Sequence, residues 1–195
     1  PGADPRRLKS AGQVCYGYEL KIVGEDGREA PRGETGEIVG RGDNLMMGYW
    51  NRPEETARAL RDGWMHSGDV GFMDEAGFVY ITDRLKDMIV SGAENVYSIE
   101  VESVISRHPA VDECAVIGVP DEKWGERVHA VVVPRAGAQL SLEDLQAHVR
   151  AQIAGYKCPR SLELHDGPLP RSAAGKILKT TLREPYWAGR DRSVS

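Results

Sequence analysis

Residues 80–95 read YITDRLKDMIVSGAEN. The stretch opens as an alternating strand at residues 80–82, then sets charges at Asp83, Arg84, Lys86 and Asp87. It turns apolar again at Met88, Ile89 and Val90 and ends in a Ser-Gly-Ala-Glu-Asn loop. The chain on its two sides is patterned differently, so the charged cluster reads as a linker between two folded halves.

On the N-terminal side the pattern is mostly β. Residues 13–24 mix β-formers with partial alternation and run into a Glu-Asp-Gly turn at residues 25–27. A short strand is expected at residues 36–40, after a Pro/Gly-rich run. Residues 53–61 (PEETARALR) read as a helix, with proline in the first turn and acidic residues at the N-terminal end; Asp62-Gly63 ends it. Residues 69–82 suggest a hairpin joined through residues 74–77.

The C-terminal side alternates helices and strands. Ser98 is a candidate cap for a helix running to about Arg107, with Val101, Val104 and Ile105 at helical spacing. Residues 111–119 and 128–133 are strand candidates. Ser141-Leu-Glu-Asp144 resembles a capping box, followed by an apolar face of Leu142, Leu145, Val149 and Ile153. A strand at residues 161–164 and a helix after Lys179 complete an α+β unit.

The 195 residues are 41% hydrophobic and 28% charged, with net charge −5, as in a soluble globular protein. That balance offers no electrostatic reason to expect nucleic acid or an anionic membrane. No apolar run approaches the ~20 residues that span a bilayer. Cys15, Cys114 and Cys158, odd in number and widely spaced, read as reduced thiols of a cytoplasmic protein. The chain begins at Pro1 without a methionine, so a processed or truncated N-terminus is expected.

Four groups carry possible chemistry. In GWMHSGDVG (residues 63–71), Asp69 either accepts hydrogen bonds from a diol such as a ribose or bonds its own backbone in a turn. His66 in the same stretch has no second metal ligand at a plausible spacing and reads as structural. The cluster at residues 83–87 is either a solvated turn or functional. In SGAEN (residues 91–95), Gly92 either lets backbone approach a ligand or serves a plain loop. In LPRSAAGKIL (residues 169–178), Lys176 either reaches a phosphate as a mobile point charge or is a surface lysine. Pro170 stands where a Walker loop requires glycine, which excludes that motif.

Taken in order, GETGEIVGRGDNLMMGYWNRPEET, GWMHSGD, GFVYITDRLKDMIVSGAENVYSIEVE, VIGVPDEKWGE and LPRSAAGKILKTTLR resemble the C-terminal part of adenylate-forming acyl-CoA synthetases. The resemblance runs from about Ala11 to Trp187 and is strongest to bacterial fatty-acyl- and aryl-CoA ligases. In that family a carboxylate is joined to AMP from ATP, and CoA then captures the acyl-adenylate.

The resemblance implies an α+β chain in two parts. Residues 1–85 would be the β-rich, barrel-like end of the large N-terminal AMP-binding domain. Residues 86–195 would be the mobile C-terminal domain, with the hinge near Lys86. The family's phosphate loop, its adenine and magnesium ligands and most of its acyl pocket would lie in a missing N-terminal part, so Mg enters as the ATP complex. The chain alone is expected to be inactive.

The resemblance also implies roles. Asp69 matches an aspartate on the ribose hydroxyls of AMP, and Arg84 an arginine near ribose and phosphate. Lys176 matches the catalytic lysine of adenylation, which reaches the α-phosphate and the substrate carboxylate. Ser91, Gly92, Ala93 and Trp124 would line the CoA pantetheine tunnel. Tyr156 and Arg160 fall in a segment that meets the CoA nucleotide in some relatives. No metal ligand is implied in this chain. Rival readings are a carrier-protein-loading adenylation domain, a luciferase-like oxidase, and a non-catalytic nucleotide- or CoA-binding module.

Overall fold

The computed structural model describes residues 5–190; the reading of a processed start at Pro1 falls outside them. The chain forms two compact units that divide between Leu85 and Lys86.

The first unit is β-rich. It contains β1 (Gly12–Gln13), β2 (Tyr18–Val23), β3 (Gly36–Gly42), α1 (Pro53–Ala59), β4 (Leu60–Arg61), β5 (Trp64–Met73) and β6 (Phe78–Arg84). The strands pair antiparallel in the order β1-β6-β5-β3-β2, with β4 added to β5. Ile22, Ile38, Met73 and Val79 make its buried cluster. The helix expected over residues 53–61 stops at Ala59. Leu60 and Arg61 instead pair with Met65 and Trp64, across a two-residue turn in which Asp62 and Gly63 both have positive φ. Asp-Gly is the residue pair such a hairpin turn prefers. The hairpin expected over residues 69–82 starts earlier, with β5 at Trp64, so all of GWMHSGDVG after Gly63 is strand.

The second unit holds β7 (Ile89–Ser91), β8 (Glu94–Val96), α2 (Ser98–Ile105), β9 (Val111–Asp121), β10 (Gly125–Pro134), α3 (Leu142–Arg150), β11 (Ser161–Leu164) and α4 (Lys179–Trp187). β9 and β10 form a long antiparallel hairpin, and β11 joins β10 in parallel. Both faces of this hairpin are covered, which is why its sequence runs apolar without a polar alternate. Val116, Val128, Ala130 and Val132 pack with α2 and α3 residues Val101, Ile105, Leu145 and Val149. Ala115, Ile117, Val119 and Val131 point the other way, to Leu182 of α4. Each buried Val, Ile or Leu among them contributes roughly 1.5–3 kcal/mol.

The capping box of α3 is present: Ser141 Oγ accepts from the Asp144 N–H, and the Asp144 carboxylate accepts from the Ser141 N–H. Ser98 is not a cap. Tyr97 holds that position, and the buried Ser98 hydroxyl accepts from Lys179 Nζ at 2.6 Å. Among the described residues no helix is long and apolar enough to cross a membrane.

Candidate functional site

In the first unit, Asp69 and Arg84 are cross-strand partners on β5 and β6, with Arg84 Nε 3.4 Å from Asp69 Oδ1. Asp69 is not in the turn that its Ser-Gly-Asp context suggested. Its N–H donates to Ser67 Oγ at 3.0 Å, and Ser67 Oγ donates to the Ile38 carbonyl at 2.6 Å, which ties this part of β5 to β3. The register shifts just beyond, between Val70 and Gly71, where a Cβ on Gly71 would lie 2.3 Å from the Tyr80 carbonyl oxygen. Only glycine fits that approach. Both side chains of the Asp69–Arg84 pair remain partly exposed, so the carboxylate can accept from a diol while the guanidinium faces an anion.

The charged cluster is not a uniformly solvated turn. Asp83 and Arg84 end β6, and Asp83 is 1% exposed, with its carboxylate accepting the Arg84 N–H. Lys86 sits exposed in a 3-10 turn, Leu85–Asp87. His66, on β5, has Nδ1 2.7 Å from Glu37 and 2.9 Å from Arg61.

In the second unit, β7 and β8 form a hairpin around Gly92 and Ala93. Ser91 is buried and paired with Gly125. Gly92 has φ +70° and donates its N–H to the Trp124 carbonyl at 2.7 Å. A Cβ there would stand 3.0 Å from the Trp124 ring. The same indole carries Arg160 at 4.7 Å and Lys123 at 4.7 Å from its centroid. Gly92, Trp124 and Arg160 are thus brought together, a cation-flanked aromatic surface beside a tight turn. Tyr156 lies on a separate 3-10 turn, Gly155–Lys157, with Lys157 Nζ 5.6 Å from its ring. Lys157 itself is bound to Glu100 at 2.6 Å.

Lys176 is exposed on a loop pinned through its backbone. Ser172 N–H donates to the Lys176 carbonyl at 2.8 Å, and Arg171 bridges the Gly175 carbonyl and Glu113. Lys179, three residues on, differs. Its ammonium is held by Glu102 at 2.7 Å and by Ser98, with the side chain 12% exposed. Of the two lysines, Lys176 is the one whose ammonium can go to a ligand.

Several polar residues of α4 were not legible as inward-facing. Lys179, Leu182, Arg183 and Tyr186 stand at i, i+3, i+4 and i+7, one helix face. Arg183 is 7% exposed and bonds the backbone of Lys86 and the carboxylate of Asp87. Tyr186 donates to Glu163 and contacts His129 Nε2 at 3.0 Å; His129 Nδ1 lies 2.7 Å from Ser161 Oγ. Since the Tyr186 proton goes to Glu163, His129 is the Nε2–H tautomer and its Nδ1 accepts from Ser161. Burial lowers the His129 pKa, and it raises that of Tyr186 to about 12.

Cys114 and Cys158 are not nucleophiles in waiting. Burial raises the Cys114 thiol to about 12 and also raises Cys158, which packs in the core.

The sequence matches two family descriptions: the AMP-binding enzyme over residues 1–50, and the AMP-binding enzyme C-terminal domain over residues 100–176. It is 49% identical over 180 residues to a feruloyl-CoA synthase of Amycolatopsis sp, covering 92% of this chain and 36% of that protein. It is 43% identical over 188 residues to a fatty acid–[acyl-carrier-protein] ligase of Streptomyces coeruleorubidus, covering 96% and 36%. The fold superposes on o-succinylbenzoate CoA synthetase of Bacillus subtilis in complex with its acyl-adenylate intermediate. That match has a TM-score of 0.82 and 40% identity, over 91% of this chain and 36% of the other. The chain spans about 36% of the length of these relatives.

Proposed function

The chain belongs to the AMP-binding enzyme family, and from that premise we propose that it forms the C-terminal part of an acid–thiol ligase. The whole enzyme would join a carboxylic acid to AMP, releasing pyrophosphate from MgATP, and then pass the acyl group to CoA with release of AMP. Residues 1–85 would close the AMP-binding domain, and residues 86–195 would be the small domain that swings about Lys86 between the two half-reactions. A cytoplasmic setting suits reduced cysteines and soluble substrates.

The observation that carries this reading is the contrast between two lysines. Lys179 is consumed by Glu102, whereas Lys176 presents an exposed ammonium from a loop whose backbone is tied down. A cation so mounted can offset charge on the α-phosphate as pyrophosphate leaves. Asp69 would accept the ribose hydroxyls and Arg84 would face the phosphate. Gly92 and Trp124, with Ser91 and Ala93, would border the pantetheine arm, and Arg160 and Tyr156 its nucleotide end. Magnesium would arrive with ATP, its protein ligands outside this chain.

The relatives' names point to aromatic or fatty acids as the acid class. A second reading keeps the chemistry and changes the acceptor, a carrier-protein phosphopantetheine in place of CoA. The 43% identity to an acyl-carrier-protein ligase favours it, and both acceptors present the same thiol arm.

The test is thioester formation by the full-length enzyme and by the 195-residue chain, each offered CoA and a phosphopantetheinylated carrier protein. The expected result is thioester from the full-length enzyme and none from the chain alone. ATP- and acid-dependent pyrophosphate release by the chain alone would overturn the division of labour. A full-length enzyme that makes no thioester with any aromatic or fatty acid would overturn the ligase reading.

A further inference from the structure

Arg183 reaches from α4 to the first two residues of the second unit. Nη1 donates to the Lys86 carbonyl at 2.8 Å, and Nη2 donates to Asp87 Oδ1 at 2.7 Å. The guanidinium is buried, and the Asp87 side chain is 13% exposed. A planar fork that bonds a carbonyl and the carboxylate next to it fixes orientation as well as position, which a lysine ammonium cannot do.

We propose that Arg183 is a positioning residue that sets where the small domain begins to turn. This rests on the reading of Lys86 as the hinge. The Lys86 carbonyl lies in the peptide plane shared with Asp87, and one guanidinium ties both that carbonyl and the Asp87 carboxylate to α4. Torsions beyond it are held too, because Met88 and Ile89 are buried at 8% and 0% exposure. The first backbone torsions on the N-terminal side of that plane are ψ and φ of Lys86. Helix α4 is a firm anchor, since Leu182 packs against β9 residues and Tyr186 is tied to Glu163 and His129. Without the arginine the pivot spreads over Lys86 and Asp87, and the swing loses its defined axis.

A buried arginine can also be a structural ion pair and nothing more, so the test must separate the two. In the full-length enzyme, Lys86→Pro fixes φ of the hinge and blocks one half-reaction. Adding Arg183→Gln frees the Asp87 torsions, and the blocked half-reaction recovers by roughly tenfold, within the range of coupling between touching residues. A double variant no faster than Lys86→Pro alone overturns the positioning role. Wild-type rates in both half-reactions for Lys86→Pro alone overturn the hinge reading beneath it, a different failure.

A second measurement uses the 195-residue chain itself. Backbone ¹⁵N order parameters at Asp87 and Met88 should equal those of α4, about 0.85 for rigid backbone. In Arg183→Gln the Asp87 value should fall, while that of Ile89 holds. An unchanged Asp87 value overturns the proposal. If Arg183→Gln does not fold, Asp87→Asn weakens the same contact from the other side, and the same two outcomes decide.

Discussion

Asp69 and Arg84 stand opposite each other on β5 and β6, their carboxylate and guanidinium 3.4 Å apart and half open to solvent. An ion pair so exposed adds only about 0–1 kcal/mol to stability. Loss of ligand binding and loss of fold are therefore separable here. Asp69→Asn in the full-length enzyme should raise the KM for ATP and lower kcat/KM by ~10- to 150-fold, as for a lost hydrogen bond to a charged acceptor. The melting temperature of the 195-residue chain should barely move. An unchanged ATP dependence together with a marked loss of stability would assign Asp69 to the sheet.

The buried His129 gives the second unit a pH dependence of definite sign. Its folded pKa lies below the ordinary value of 6.5, chiefly through desolvation. The unfolded chain therefore takes up a proton first as pH falls. Stability present above about pH 6.5 is lost as the pH drops through the depressed folded value. His108, also depressed by burial and by the facing His148, adds to the same slope. Thermal melts between pH 7 and pH 5 (roughly the range where histidine titrates) should show falling stability, and His129→Gln should flatten but not abolish the slope. A slope unchanged in His129→Gln would rule this network out as its source.

Gly92 was expected from the sequence to serve either a tight turn or the pantetheine arm. Its φ of +70° and the 3.0 Å approach of a Cβ to Trp124 make the turn a physical requirement, whatever passes beside it. Gly92→Ala in the 195-residue chain should cost about 1 kcal/mol or more, as for alanine forced to positive φ. Denaturant unfolding measures it. A cost of a few tenths would mean that the turn relaxes easily, leaving the thiol arm as the reason for glycine.

Much of the second unit was legible because its signals are local. The hairpin Val111–Asp121 with Gly125–Pro134 shows as apolar runs, and the α3 cap shows in Ser141 and Asp144. Leu60 and Arg61 misled because their composition continues a helix, while the Asp62-Gly63 turn and the pairing with Trp64 and Met65 make them a strand. Asp83 misled for another reason, and Arg183 drew no reading at all. Charged residues default to solvent, yet Asp83 is buried at the end of β6, and Arg183 is buried against Lys86 and Asp87, partners far away in sequence that periodicity cannot reveal. Lys176 and Lys179 look alike in sequence, and the folded positions of Glu102 and Ser98, which hold Lys179, separate them.

The central claim is that Lys176 supplies the cation of adenylation, and it is tested most directly by Lys176→Ala in the full-length enzyme, with the half-reactions measured apart. Acid-dependent pyrophosphate release should fall by ~10²–10³, the loss expected for one electrostatic contact made in the transition state. Thioester formation from a supplied acyl-adenylate should stay within a few-fold of wild type. An equal loss in both half-reactions, or no loss in adenylation, would contradict the account.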